Sequence, residues 1–196
     1  TGSTFADTIT GGGGADVLLG GGGADSISGG AGADTLDGEG GADTIVGGDG
    51  VDKVVFDVGD SVLTTAVLAI ATGNAAGDTT LVSASSFRFA NGVDIVTGFA
   101  TQDTIDSNFV GANAPPALVV GSTTTFGALT INDSVLVYGT WNASTSTFTA
   151  AAAFNATTAN AALLFDADAA DIAGATNTNS MVITGLTAAL AATNFV

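Results

Sequence analysis

The sequence predicts an all-β protein whose first part, residues about 1–60, winds as a coil of very short stacked strands. Three observations predict it. Aspartates recur at Asp7, Asp16, Asp25, Asp34, Asp43 and Asp52, every interval being nine residues. Two residues after each stands an aliphatic side chain: Ile9, Leu18, Ile27, Leu36, Ile45 and Val54. Ahead of each aspartate after the first lies a glycine-rich turn.

The turns come first in each repeat. They read Gly11-Gly12-Gly13-Gly14, Gly20-Gly21-Gly22-Gly23, Gly29-Gly30-Ala31-Gly32, Gly38-Glu39-Gly40-Gly41 and Gly47-Gly48-Asp49-Gly50. Gly2-Ser3-Thr4-Phe5-Ala6-Asp7 is a degenerate copy, Glu39 replaces the second glycine of its turn, and Lys53 follows the last aspartate. Glycine accepts positive φ without strain, so a six-residue turn folds tightly and aims its carbonyls inward. The three residues after the turn form a short strand whose middle, aliphatic residue points inward.

Nine residues make half a coil and eighteen a full one. Asp7, Asp25 and Asp43 therefore stack on one edge, and Asp16, Asp34 and Asp52 on the other. Calcium is a hard cation that takes six to eight oxygen ligands from carboxylates and backbone carbonyls. Aspartate supplies the charge and glycine supplies carbonyls with no side chain in the way. An ion between neighbouring turns is clamped by two repeats at once, and the stacking leaves about four such gaps.

Without a cation this segment is a poor folder. Its glycines cost backbone entropy, it buries one aliphatic per repeat, and its aspartate rows repel. Calcium binding and folding of residues 1–60 are therefore expected to be one event. A flexible Gly-Ala linker would not keep aspartate and aliphatic in phase over six copies.

Residues 11–55 closely resemble the RTX nonapeptide GGxGxDxUx. The resemblance implies a right-handed parallel β-roll with calcium in its turns. It also implies export by a type I system in Gram-negative bacteria, with folding after exit into calcium.

Beyond the repeats, residues 54–60 read as the exit from the roll, and 61–71 as a strand or a short capping helix. A turn is expected from Gly73 to Asp78, and a strand over 79–90. Residues 91–109 resemble an element that follows many RTX rolls; Asp94, Asp103 and Asp106 are either a further calcium site or exposed turn acids. Pro115-Pro116 marks a break, followed by strand candidates at 117–121, 126–131, 134–140 and 146–150. The Ala-rich stretch 151–164 is compatible with a helix, weakened by Thr and Asn. Residues 162–168 and 181–196 are similar to the closing pattern of RTX proteins, which places an uncleaved export signal at the extreme C-terminus. The organisation expected is a calcium-binding roll at 1–60, a capping β segment at 61–110 and a β-rich C-terminal domain at 111–196.

Composition narrows the function. Nineteen acidic residues face two bases, Lys53 and Arg88, for a net charge of -17. Such a chain repels nucleic acid and anionic membrane surfaces and attracts cations. The chain has no Cys and no His, so disulfides, thiol chemistry and histidine-activated nucleophiles are excluded. No run of 18 apolar residues suggests a transmembrane helix. The opening at Thr1, with no Met and no N-terminal secretory signal, reads as a fragment or a processed product. Asp166 and Asp168 are a carboxylate pair, but two apart on an expected strand and turn they suit calcium or solvent better than hydrolysis. No catalytic residue is expected.

An abundance of Ala, Thr, Gly, Asn and Val, with a single Met181, is similar to calcium-dependent bacterial surface-layer proteins. The expected function is that of a secreted, self-assembling structural protein at the bacterial cell surface, using calcium within rolls and between subunits. The alternatives are the calcium-folding export module of a secreted hydrolase and the terminal module of a large adhesin.

Overall fold

The computed structural model describes residues 1–56, 66–69, 80–81, 86–89, 93–107, 117–119, 124–125, 133–151, 154–158, 160–167 and 180–196. Among them there is no α-helix; the chain is all-β, with one 3-10 turn at Ala192–Asn194.

The nonapeptide period becomes a two-sheet roll. Strands Thr8–Gly13, Ser26–Ala31 and Thr44–Asp49 pair in parallel, with Ile9 opposite Ile27 and Ile27 opposite Ile45. On the other side Val17–Leu19, Thr35–Asp37 and Lys53–Phe56 pair in parallel, with Leu18, Leu36 and Val54 in register. Partners are thus eighteen residues apart, one full coil. Ile27, Leu36, Ile45 and Val54 are buried, while Thr8, Thr10, Ser26 and Thr44 on the outer face are partly or fully exposed. Each such burial contributes about 1.5–3 kcal/mol, modest support for a backbone so rich in glycine. The two sheets differ: the first has six-residue strands that run on into the glycines, whereas the second pairs only three or four residues per coil.

Residues 93–107, expected beyond the roll, lie within both of its sheets. Strand Asp94–Thr97 pairs in parallel with Thr44–Asp49, and Thr104–Ser107 with Lys53–Phe56. Val96 sits opposite Ile45 and Ile105 opposite Val54, so the inner aliphatic columns continue across the intervening residues 57–92. The physical reason is phase. Asp94 and Asp103 stand nine apart, with Val96 and Ile105 two residues after them. The chain's last residues then add the final coil: Ser180–Thr184 pairs in parallel with Asp94–Thr97, and Phe195 bridges Ile105.

From Ser180–Thr184 the first sheet continues as an antiparallel one through Ala161–Ala167, Asp133–Asn142, Thr147–Ala150, Ser86–Phe89 and Ala66–Ala69. Ala117–Val119 pairs in parallel with Asp133–Asn142. Leu136, Tyr138, Ala162, Met181, Ile183, Leu186 and Leu190 join the roll's aliphatic columns in one core. The Tyr138 hydroxyl donates to Leu190 O and accepts from Leu190 N.

Two open choices are settled here. The run 61–71 contains a strand, Ala66–Ala69, and the end of the Ala-rich stretch 151–164 lies in a strand, Ala161–Ala167, with no helix among its described residues. Asn155 Oδ1 accepts the N–H groups of Thr157 and Thr158, capturing donors that a continuing helix would need. The strand candidate at 134–140 falls within Asp133–Asn142, 146–150 contains Thr147–Ala150, and 117–121 contains Ala117–Val119. The turn from Gly73 to Asp78, Pro115-Pro116 and the candidate 126–131 lie outside the described residues.

Candidate metal centre

The aspartates form two ladders, one along each edge of the roll. On the first edge Asp7 N–H donates to Asp25 Oδ1, Asp25 N–H to Asp43 Oδ1 and Asp43 N–H to Asp94 Oδ1, each at 2.8 Å. On the second, Asp16 N–H donates to Asp34 Oδ1 at 2.9 Å, Asp34 N–H to Asp52 Oδ1 at 3.0 Å and Asp52 N–H to Asp103 Oδ1 at 3.1 Å. One carboxylate oxygen of each rung thereby fixes the side chain to the preceding coil.

The other oxygen is unspent. Oδ2 of Asp16, Asp25, Asp34, Asp43 and Asp52 is buried with no hydrogen-bond partner. An unpaired buried polar group costs a few kcal/mol, and a bare carboxylate more, so five along the two edges call for a compensating positive charge. These are the aspartates that follow the five glycine-rich turns.

The first glycine of each turn leaves room around that oxygen. A Cβ placed on Gly11 would lie 2.7 Å from Asp16 Oδ2 and 2.5 Å from Gly29 O. On Gly20 it would lie 2.6 Å from Asp25 Oδ2 and 2.5 Å from Gly38 O. On Gly29 it would meet Asp34 Oδ2 and, at 2.5 Å, Gly47 O. Gly38 and Gly47 stand beside Asp43 Oδ2 and Asp52 Oδ2, and there the nearest atoms all belong to the aspartate. At Gly11, Gly20 and Gly29 a carboxylate oxygen and a carbonyl of the next coil thus converge on a space that any side chain would fill. Among the described residues no three acidic side chains gather at one point. The donor set is all oxygen, largely backbone, and strung along an edge. It suits calcium and lacks the nitrogen and sulfur ligands that zinc prefers. A bound ion would neutralise the stacked carboxylates and tie successive coils together.

The remaining turn glycines serve the path of the chain. The second position has positive φ, 105 to 112° at Gly12, Gly21, Gly30 and Gly48, and Glu39 is held there at 56°. Gly14, Gly23, Gly32, Gly41 and Gly50 at the fourth position also have positive φ, whereas Gly13, Gly22 and Gly40 at the third do not.

The ladder ends differ. Asp7 Oδ2 accepts the Ser3 N–H at 2.6 Å and the Ser3 hydroxyl at 2.8 Å, and these bonds hold its carboxyl below the usual range. Asp103 Oδ2 accepts the Ala100 N–H at 2.6 Å. Burial pushes Asp43 up to about 6, partly offset by the Asp25 N–H, with the Asp25 and Asp37 carboxylates adding repulsion. Asp52 is raised for the same reason, with Asp103 and Asp34 adding repulsion. Lys53 Nζ pairs with Asp106 Oδ2 at 2.5 Å. Asp106 therefore faces a lysine and is set apart from Asp94 and Asp103, with which the sequence had grouped it. Asp94 and Asp103 belong to the ladders, and the nine-residue interval between them was the available signal.

Residues 1–36, 19–54 and 28–63 each match the family model of the RTX calcium-binding nonapeptide repeat. The N-terminal segment is thus an array of RTX repeats, a calcium-binding module folded as a parallel β-roll. No curated protein matches the chain. A solved structure similar to it is the AlgE6R3 subunit of the Azotobacter vinelandii mannuronan C5-epimerase, in solution. The two are 24% identical with a TM-score of 0.49, over 100% of this chain and 80% of that one.

Proposed function

We propose that the protein is a calcium-dependent extracellular structural protein, non-catalytic in these residues, that folds on meeting calcium and assembles with copies of itself in a surface layer. The observation that carries the calcium part is the row of buried, unpartnered aspartate oxygens, each set beside the first glycine of its turn. The ions sit between successive turns of one edge. Asp16, Asp25 and Asp34, each between two glycine-rich turns, are the best provided of the six repeat aspartates. Asp7 offers less, because Ser3 already uses its oxygen.

Export by a type I system, with its signal in the C-terminal residues, follows from the resemblance to RTX proteins. Among the described residues no helix is long and apolar enough to cross a membrane. Self-assembly is supported by the surface-layer-like composition and by the N-terminal end of the roll. There, among the described residues, Thr8–Gly13 and Val17–Leu19 are the edge strands of their sheets, and an edge strand can pair with a neighbour.

The test is circular dichroism with light scattering during a calcium titration, repeated with magnesium. A β-signal that rises with calcium alone, accompanied by scattering, is the expected result. A full β-signal in chelator, unmoved by calcium, would overturn the calcium reading. A calcium-folded chain that stays monomeric at millimolar calcium would overturn the assembly reading and favour an export module.

A further inference from the structure

We infer that two cation sites lie at the junction where the contiguous repeats meet residues 93–107, and that filling them locks the C-terminal half of the chain onto the roll. The inference rests on the calcium reading above and extends it to positions with a glycine-rich turn on one side only.

At this junction Asp43 and Asp52 are each 1% exposed, and Oδ2 of both is without a partner. Their ladder neighbours come from outside the repeat array. Asp43 N–H donates to Asp94 Oδ1 and Asp52 N–H to Asp103 Oδ1, across 51 residues of sequence where every earlier rung spans 18. Backbone bonds hold the same seam: Ile95 N–H donates to Asp43 O and Thr104 N–H to Asp52 O, both at 2.8 Å. Gln102 Nε2 reaches Gly50 O at 2.9 Å. Two bare buried carboxylate oxygens therefore sit where 93–107 docks. Without a counter-charge they oppose docking by desolvation; with one they favour it.

Docking here governs more than 93–107. Asp94–Thr97 is the parallel partner of Ser180–Thr184, from which the antiparallel sheet extends. Asn194 Nδ2 donates to the carbonyls of Thr101 and Asp103. The final coil and the sheet beyond it are thus fastened through the residues that the two junction ions hold. Calcium at Asp16, Asp25 and Asp34 consolidates the repeats; calcium at Asp43 and Asp52 joins them to the remainder.

The experiment uses the full chain and the double variant Asp43→Asn with Asp52→Asn. Each substitution keeps Oδ1, which accepts from Asp25 or Asp34, and puts a neutral amide nitrogen in place of the ligand oxygen Oδ2. Native mass spectrometry at saturating calcium counts ions, and hydrogen exchange followed through a calcium titration reads protection by segment. The double variant is expected to hold two fewer ions than the parent. Its 93–107 and 180–196 peptides should become protected only at about tenfold higher calcium, while peptides from 8–37 respond as in the parent. The variant Asp16→Asn with Asp34→Asn should show the reverse pattern, with 8–37 the more affected. Equal ion counts in the parent and the junction variant, or unchanged protection of 93–107, would overturn the inference and leave the calcium reading standing. A variant that fails to fold at any calcium concentration is scored on the single variants, each of which should hold one ion fewer. No calcium response in any peptide of the parent would overturn the calcium reading itself, and this inference with it.

Discussion

Replacing Gly29 by alanine tests the cradle with the smallest possible side chain. The new Cβ would lie 2.5 Å from Gly47 O and against Asp34 Oδ2. The obstructing carbonyl belongs to the backbone of the next coil, so it cannot swing aside as a flexible side chain would. Overpacking of this kind costs about 1–3 kcal/mol. Folding is linked to several ions, so the penalty is shared among them. With about five ions and about 1.4 kcal/mol per tenfold change, about 3 kcal/mol moves the calcium midpoint about threefold. If the ion at Asp34 is lost outright, the cooperativity of the titration falls as well. Gly13→Ala is the matched control: a Cβ there meets nothing within 4 Å, and its φ is not in the left-handed region. Because alanine restricts the unfolded chain, this control should leave the midpoint unchanged or lower it slightly. The assay is the calcium midpoint and slope by circular dichroism for both variants beside the parent. Equal shifts in the two, or no shift in Gly29→Ala, would refute the claim that this space is the ion's.

Three further outcomes follow from the geometry. Glu39→Gly relieves a non-glycine residue held at φ 56° and should stabilise the calcium form by about 1 kcal/mol, read as a higher Tm. Because burial raises Asp43 from 3.8 to about 6, the folded chain holds its proton more tightly than the unfolded chain does. The calcium-free roll should therefore be least stable above pH 6 and gain about 2 kcal/mol at most as pH falls from 7 toward 4. A β-signal in chelator that does not grow over this range would contradict the raised value. Leu36→Ala, at a fully buried position in a core with one aliphatic per repeat, should cost about 2–5 kcal/mol and prevent folding at calcium concentrations that fold the parent.

The repeat array was legible because each of its jobs falls on a fixed residue type at a fixed spacing. Asp25, Ile27 and the glycines before them could not exchange places without losing the turn, the ligand or the core. Two features escaped the reading, for different physical reasons. Residues 93–107 keep the aspartate and the aliphatic of the repeat but only Gly98 of its turn, so they lose the compositional signal while retaining the phase. The Ala-rich start of Ala161–Ala167, read as compatible with a helix although Asp166 was expected on a strand, has little intrinsic preference for a sheet; it is a strand because Asp133–Asn142 and Ser180–Thr184 flank it on both sides. Ladder pairing between distant segments leaves no local mark. The same holds for Tyr138, whose hydroxyl meets the backbone of Leu190 at a separation of 52 residues.

The discontinuity of the roll has a consequence for the order of folding. Coils within the repeats close loops of eighteen residues, whereas 87 residues separate Asp94 from its partner Met181 in the final coil. Loop closure grows more costly with length, and distant strand pairing slows folding. After a sudden exposure to calcium, the early coils form first and wait as an open stack whose growing end is unsatisfied. The last residues of the chain close that end. Until Phe195 has bridged Ile105, the roll remains unfinished, its growing edge still without its partner strand.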